Sequence, residues 1–226
     1  LSLTVVVIVG TFFFFIELHQ KSPLLPLDLM RIPIFSLSII TSICSFSAQM
    51  LAMVSLPFFF QDTLGYNEVL TGMLLTSWPL TTLFAAPLAG VLSDKIHPGI
   101  LGSIGMGAFF IGLISLSFID TSTQAITIVP RLMLCGFGFG FFQTPNNGTI
   151  ISSAPSKRSG GASGMLGMAR LLGQTTGTTM VALLLGMIIS PERGAVTCLL
   201  VGAGFALLAA VISSLRLSQP STLKKK

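Results

Sequence analysis

The sequence predicts an all-α integral membrane protein with about seven transmembrane helices, and two observations lead to this prediction. Seven apolar stretches occupy most of the 226 residues. Only 8% of the residues are charged, whereas soluble domains carry about 25%. A bilayer core of about 30 Å needs roughly 20 apolar residues in a helix. Because the bilayer offers no water to the backbone, such stretches are expected to be helical.

The predicted spans cover, in chain order, residues 1–16, 34–60, 70–92, 100–119, 125–151, 162–189 and 195–215. The chain starts inside an apolar run that has neither a basic leader nor a cleavage site. We therefore expect residues 1–16 to be a truncated transmembrane helix, and the chain to begin within a longer protein. Residues 17–33 are expected to form a cytoplasmic linker, 34–217 a six-helix bundle and 218–226 a basic cytoplasmic tail.

The net charge of +5 is unevenly placed between alternating loops. One set of loops holds the basic residues Lys21, Arg31, Lys95, Lys157, Arg158, Arg216, Lys224, Lys225 and Lys226. The opposite set holds Asp62, Glu68, Asp120 and Glu192, with Arg193 as its one basic residue. Because basic loops stay inside, this asymmetry predicts a multi-pass membrane protein with a cytoplasmic C-terminus. The lysine tail is then expected to anchor the topology or to contact acidic lipid, and no nucleic-acid partner is expected.

The cysteines and histidines do not form the pattern of a metal or catalytic site. Cys44, Cys135 and Cys198 lie within separate spans, and His19 and His97 lie in different loops. This spacing predicts neither a disulfide framework nor a metal site. The sequence also lacks a pairing of nucleophile and base near an acidic cluster. We therefore expect no enzymatic activity, no metal and no cofactor.

The spans differ in polarity. Residues 100–119 and 195–215 carry neither a charge nor an amide, so we expect scaffold or lipid-facing helices there. Polar groups in the other spans should face the bundle interior or a water-filled cavity. The candidate cavity residues are Phe46, Gln49, Met50, Met53, Trp78, Gln143, Asn146 and Asn147. Helix–helix packing is the alternative role for such residues, and it is the role expected of the many glycines.

Residues 90–99, Gly-Val-Leu-Ser-Asp-Lys-Ile-His-Pro-Gly, join two predicted spans. They resemble the G-x-L-a-D-r-x-G-r loop of the major facilitator superfamily, although the later basic positions of that motif differ here. Residues 23–35, 56–66, 71–79 and 136–177 extend the resemblance over nearly the whole chain. The pattern is similar to the 14-span drug:proton antiporters of the SmvA, QacA and EmrB type, which include quaternary ammonium and methyl viologen efflux pumps.

The resemblance implies one linker helix followed by the C-terminal six-helix bundle of this fold, with the first, second, fourth and fifth helices of the bundle around a cavity. It implies a transporter in the lipid bilayer of a bacterial inner membrane, which exports small lipophilic cations and is driven by protons. It also gives a gating role to the loop residues Gly90, Asp94, Lys95 and Gly99. In that family the Asp of the motif caps a neighbouring helix and pairs with basic residues.

No Asp or Glu lies deep within a predicted span, and the resemblance implies that the coupling carboxylates lie in a missing N-terminal half. The chain is then expected to be inactive without that half. Arg131 and Arg170 are awkward in a cation site, and we assign them structural or gating roles. The alternative to transport is a membrane scaffold or assembly partner derived from a truncated transporter.

Overall fold

The computed structural model describes residues 27–188 and 190–218. The predicted helix over 1–16 lies outside these residues, as do most of the predicted linker and of the basic tail. Within the described residues the secondary structure is helical, and six helices are long. Their bounds are α1 Pro33–Phe58, α2 Glu68–Ser93, α3 Pro98–Ser117, α4 Ala125–Ser153, α5 Ser159–Met187 and α6 Pro191–Leu215.

Each long helix coincides with one predicted span, apart from a few residues at the ends. Five of the six are long and apolar enough to cross a membrane, with α1 continued by a π-helical turn to Thr63. The helix that does not meet both conditions is α5, the predicted span over 162–189. It has 29 residues, but its middle carries Arg170, Gln174 and several threonines. Its length agrees with the prediction and its composition is more polar.

Prolines and polar caps set where several helices begin. Pro33, Pro98 and Pro191 stand at the first turns of α1, α3 and α6, where a missing N–H costs no helical hydrogen bond. The Asn67 side chain accepts a hydrogen bond from the Leu70 backbone N–H at 2.8 Å and caps α2. These residues explain why the apolar runs begin as helices at these points.

Contacts between loops identify the two ends of the bundle. The start of α3 meets the end of α6, where the Ser213 hydroxyl donates to the Gly99 carbonyl at 3.2 Å. We call this end, which carries Arg31, Lys95, Lys157, Arg158 and Arg216, the basic end. At the other end the Tyr66 hydroxyl donates to the Thr123 carbonyl at 3.1 Å. We call it the acidic end, and it carries Asp62, Glu68, Asp120, Glu192 and Arg193.

The helices form a front and a back. Helices α3 and α6 pack against each other. Helix α3 also packs against α4, and α6 also packs against α1. Helix α2 packs on α4, and α5 packs on α1. The two helices whose predicted spans, 100–119 and 195–215, lack charges and amides therefore lie behind, and the four polar helices α1, α2, α4 and α5 share the front. This division agrees with the sorting of the spans by polarity.

Glycines allow the front helices to approach closely. A methyl group on Gly177 of α5 would lie 2.6 Å from the Ser47 carbonyl oxygen of α1. The Ser47 hydroxyl in turn donates to the Gly173 carbonyl at 3.1 Å. Between α2 and α4, the Thr82 hydroxyl donates to the Gly136 carbonyl at 2.9 Å. These glycines serve helix packing, as small residues do in membrane bundles.

Candidate functional site

Two adjoining cavities open between the four front helices, near the middle of the bundle. The first, of about 210 Å³, is lined by Phe46, Gln49, Met53, Trp78, Pro79, Thr82, Phe139, Gln143 and Arg170. The second, of about 230 Å³, is lined by Phe46, Gln143, Asn147, Ser163, Leu166, Gly167 and Arg170. The two cavities share Phe46, Gln143 and Arg170. Together they form one polar and aromatic face, which we call the cavity wall.

Most of the predicted cavity residues meet at this wall. The first cavity includes Phe46, Gln49, Met53, Trp78 and Gln143, and the second adds Asn147. Whether these residues bind a substrate stays a prediction.

Two of the predicted cavity residues, Met50 and Asn146, lie elsewhere. Met50 packs beside Gly177 of α5. Asn146 is 2% exposed and turns away from the cavity. Consecutive residues of an α-helix point about 100° apart, because 3.6 residues complete a turn. Asn147 follows Gln143 by one turn and lines the second cavity. Asn146 is rotated about 100° from Asn147 and faces the side of α4 that meets α1 and Arg216.

Asn146 belongs instead to a buried hydrogen-bond network at the basic end. Its side-chain oxygen accepts a hydrogen bond from Arg216 Nη1 at 2.7 Å, and its amide nitrogen donates to Ser42 Oγ at 2.7 Å. Arg216 Nη1 also donates to Ser38 Oγ at 3.1 Å, and Arg216 Nη2 donates to Ser213 Oγ at 2.9 Å. We call this set of side chains the Arg216 network. It joins α1, α4 and α6.

The sequence predicts Arg216 in a basic loop, and the structure shows that this residue is only 1% exposed. The turn Arg216–Ser218 directly follows α6, and the side chain folds back into the bundle. Burial lowers the pKa of Arg216 to about 10, which still leaves it protonated at neutral pH. Burial, and secondly the charge of Arg216, lower the pKa of His97 at the start of α3. Net positive charge in a loop could not reveal this network, because it depends on the Ser38 hydroxyl and the Asn146 amide, which are distant in the sequence.

Three aromatic rings of the cavity wall pack edge to face with one another or with Phe109 behind it. The Trp78 and Phe109 ring centroids lie 5.4 Å apart, and those of Phe109 and Phe139 lie 5.9 Å apart. Phe139 in turn meets Phe46 at 5.5 Å. The four rings connect α2, α3, α4 and α1 in a geometry that aromatic pairs prefer. Trp78 Nε1 is buried and has no hydrogen-bond partner among the described residues.

Arg170 gives the wall its one charged side chain among the lining residues. Its guanidinium carbon lies 5.5 Å from the centroid of the Phe46 ring, a cation–π distance. Neither cavity is lined by Asp or Glu. Within the described ranges, the amides of Gln49, Gln143 and Asn147 make no hydrogen bond. The wall therefore presents aromatic faces, free amides and a cation.

The other predicted gating residues are exposed or structural. Asp94 and Lys95 are exposed at the end of α2, and in the part of the chain that the structure describes Asp94 forms no ion pair. Arg131 Nη1 donates to the Ser115 carbonyl at 2.8 Å and ties α4 to α3. Gly90 faces Thr144, and Gly99 is buried against α6. The latch expected from the loop motif is thus not formed among these residues.

An ion pair that the sequence analysis did not anticipate lies at the basic end. Arg158 Nη2 and Asp28 Oδ1 are 2.7 Å apart and join the turns before α5 and α1. Both side chains are partly exposed, so the pair contributes little to stability. Across residues 27–188 and 190–218, no group of three His, Cys, Asp or Glu side chains is placed to hold a metal ion.

Comparison with known proteins gives matches along most of the chain. The family model "Major Facilitator Superfamily" matches residues 1–178. "Uncharacterized transporter YebQ" of Escherichia coli (strain K12) is 55% identical over 219 residues, which are 97% of this chain and 48% of that protein. The chain thus spans about half the length of this relative, and less of the two that follow.

Two further relatives carry names that refer to drug resistance. "Multidrug resistance protein Stp" of Mycobacterium tuberculosis (strain CDC 1551 / Oshkosh) is 28% identical over 73% of this chain and 30% of that protein. "Probable multidrug resistance protein EmrY" of Escherichia coli (strain K12) is 26% identical over 75% of this chain and 33% of that protein.

Proposed function

Because this chain belongs to the Major Facilitator Superfamily, a family of transporters and not of enzymes, we propose that it is the C-terminal part of a proton-coupled multidrug exporter. The proposed substrates are small lipophilic cations, quaternary ammonium compounds and methyl viologen among them. The proposed site is the cavity wall between α1, α2, α4 and α5. Two relatives named for multidrug resistance support the class of activity.

The composition of the cavity wall carries this proposal. Phe46, Trp78 and Phe139 supply aromatic faces, and Met53 supplies a flexible thioether. Aromatic faces attract quaternary ammonium groups, and thioethers adapt to ligands of different shapes. Cavities with an apolar lining and a few polar groups are the usual form of small-molecule sites. A wall of this kind suits a broad range of flat, lipophilic compounds.

Energy coupling is assigned to the rest of the transporter. A coupling group must alternate between binding a proton and facing a cation, which a desolvated carboxylate does well. The residues that line the two cavities include no carboxylate. We therefore propose that this chain supplies binding surface, and that a second half supplies the carboxylates. The basic end is assigned to the cytoplasmic face of a bacterial inner membrane.

Ethidium efflux from pump-deficient cells tests the proposal directly. The chain is expressed alone, and then together with the part of YebQ, the 55% identical relative, that this chain does not cover. Membrane insertion is verified in both strains. We expect proton-dependent efflux only in the second strain. Efflux by the chain alone would contradict the need for a second half. Stable insertion without efflux in either strain would contradict transport and favour the scaffold alternative.

Phe46→Leu tests the cavity wall in the strain that expresses both parts of the transporter. Leucine keeps the apolar volume roughly but removes the aromatic face, so we expect KM for a quaternary ammonium substrate to rise about fivefold. Phe118→Leu is the matched control, because Phe118 is 75% exposed at the end of α3 and lines neither cavity. Equal effects of the two variants would contradict the assignment of the site.

A further inference from the structure

Arg170 is the one side chain at the cavity wall whose chemistry does not fit a simple cation. It lines both cavities, and it is exposed. A guanidinium stays positively charged throughout the physiological pH range. It therefore favours a ligand that also carries a negative group over a ligand that brings only positive charge. It also lies 5.5 Å from the centroid of the Phe46 ring and occupies one of the two ring faces.

The wall also has more free hydrogen-bond donors than acceptors. Among the described residues Arg170 makes no hydrogen bond, so all five of its N–H groups are open to a ligand. Trp78 Nε1–H is buried without a partner, and indole can only donate. The free amides of Gln49, Gln143 and Asn147 can donate or accept. No carboxylate lines either cavity to take up these donors.

We propose that Arg170 makes the cavity wall selective for aromatic zwitterions, in which a delocalised cation and a carboxylate belong to the same small molecule. This inference rests on the proposed function and names the substrate class of that site. The aromatic part lies against the rings and thioether of the first cavity. The carboxylate accepts the two parallel hydrogen bonds that a guanidinium can offer. Arg170 releases Phe46 as it takes up the carboxylate.

Two rhodamine dyes that differ by one methyl group provide the test. Tetramethylrhodamine has a free carboxylate and is a zwitterion at neutral pH, whereas its methyl ester is a plain cation with the same ring system. Equilibrium binding of each dye to the purified full chain in lipid nanodiscs is followed by fluorescence anisotropy. We expect the free acid to bind about tenfold more tightly than the ester, as for one charge-assisted contact.

Variants of Arg170 separate its charge from other causes of the preference. Arg170→Gln should bring the two affinities to about the same value by weakening the acid about tenfold. Arg170→Lys should keep part of the preference, because it keeps the charge and loses the planar fork. Arg131→Gln is the matched control: Arg131 ties α4 to α3 and lines neither cavity, so the tenfold preference should remain.

Three results would overturn the inference: tighter binding of the ester, a preference that survives in Arg170→Gln, or no binding of either dye. Efflux of the two dyes from cells that express both parts of the transporter, called the pair, tests the proposed function independently of the binding preference. If the pair exports both dyes without preferring the acid, the proposed function stands and the role of Arg170 fails. If the purified chain prefers the acid but the pair exports neither dye, the role of Arg170 stands and the exporter fails.

Discussion

Arg216 and Arg170 both lie within the helical bundle, and their surroundings differ in almost every respect. Arg216 is 1% exposed and donates to Asn146, Ser38 and Ser213. Arg170 is exposed, stacks on Phe46 and has no hydrogen-bond partner among the described residues. Two neighbouring amide side chains of α4 differ in the same way. Asn146 is fully engaged in the Arg216 network, whereas its neighbour Asn147 faces the cavity.

This contrast separates a polar group that holds the fold from one that is available to a ligand. A buried polar group is costly unless it finds partners, so the Arg216 network must be nearly complete to be tolerated. Only Arg216 Nε lacks a partner there. At the cavity wall the polar groups face open space, and their hydrogen-bonding capacity is free. Loss of a network residue should therefore affect stability, and loss of a wall residue should affect binding.

Removing Arg216 should have the largest effect on stability. In Arg216→Ala, the side-chain oxygens of Asn146, Ser38 and Ser213 lose a charged donor in a place that water does not reach. We expect the free energy of unfolding to fall by about 3 kcal/mol. Denaturation of the detergent-solubilised chain, followed by circular dichroism, measures the change. Arg193→Ala at the acidic end is the control and should change stability by less than about 0.5 kcal/mol.

The adjacent amides of α4 give a sharper test, with a smaller effect. Asn146→Ala leaves Arg216 Nη1 and Ser42 without their amide partner, so we expect a loss of about 2 kcal/mol. Asn147→Ala removes an amide that has no protein partner in the described chain. It should leave stability within about 0.5 kcal/mol and should weaken dye binding. Equal destabilisation by both variants would contradict the separation of network and wall.

Hydrophobicity and charge were enough to predict the six long helices and the two charged ends. Those features depend on one helix at a time. The face of each helix was harder to predict, because Asn146 and Asn147 are both polar and differ only in direction. The buried position of Arg216 was not predictable either, since a basic residue just after an apolar run usually stays at the surface. Its burial requires Ser38, Asn146 and Ser213 to meet in three dimensions.

The smallest predicted effect links the Arg216 network to pH through His97. Burial and the charge of Arg216 lower the pKa of His97 below its usual value of 6.5, so the folded chain favours the neutral ring. Its contribution to stability is therefore present above about pH 6.5 and is lost as the pH falls through the lowered folded-state pKa.

His97→Asn keeps an acceptor for the Gly99 N–H that His97 Nδ1 now caps, but it cannot titrate. Between about pH 7.5 and pH 5.5 the unmodified chain should lose slightly more stability than His97→Asn. The same pH dependence in both chains would contradict the lowered pKa of His97. In the Arg216→Ala background, chains with His or Asn at position 97 should differ less in the stability they lose on acidification, because one of the two causes of the lowered pKa is then gone.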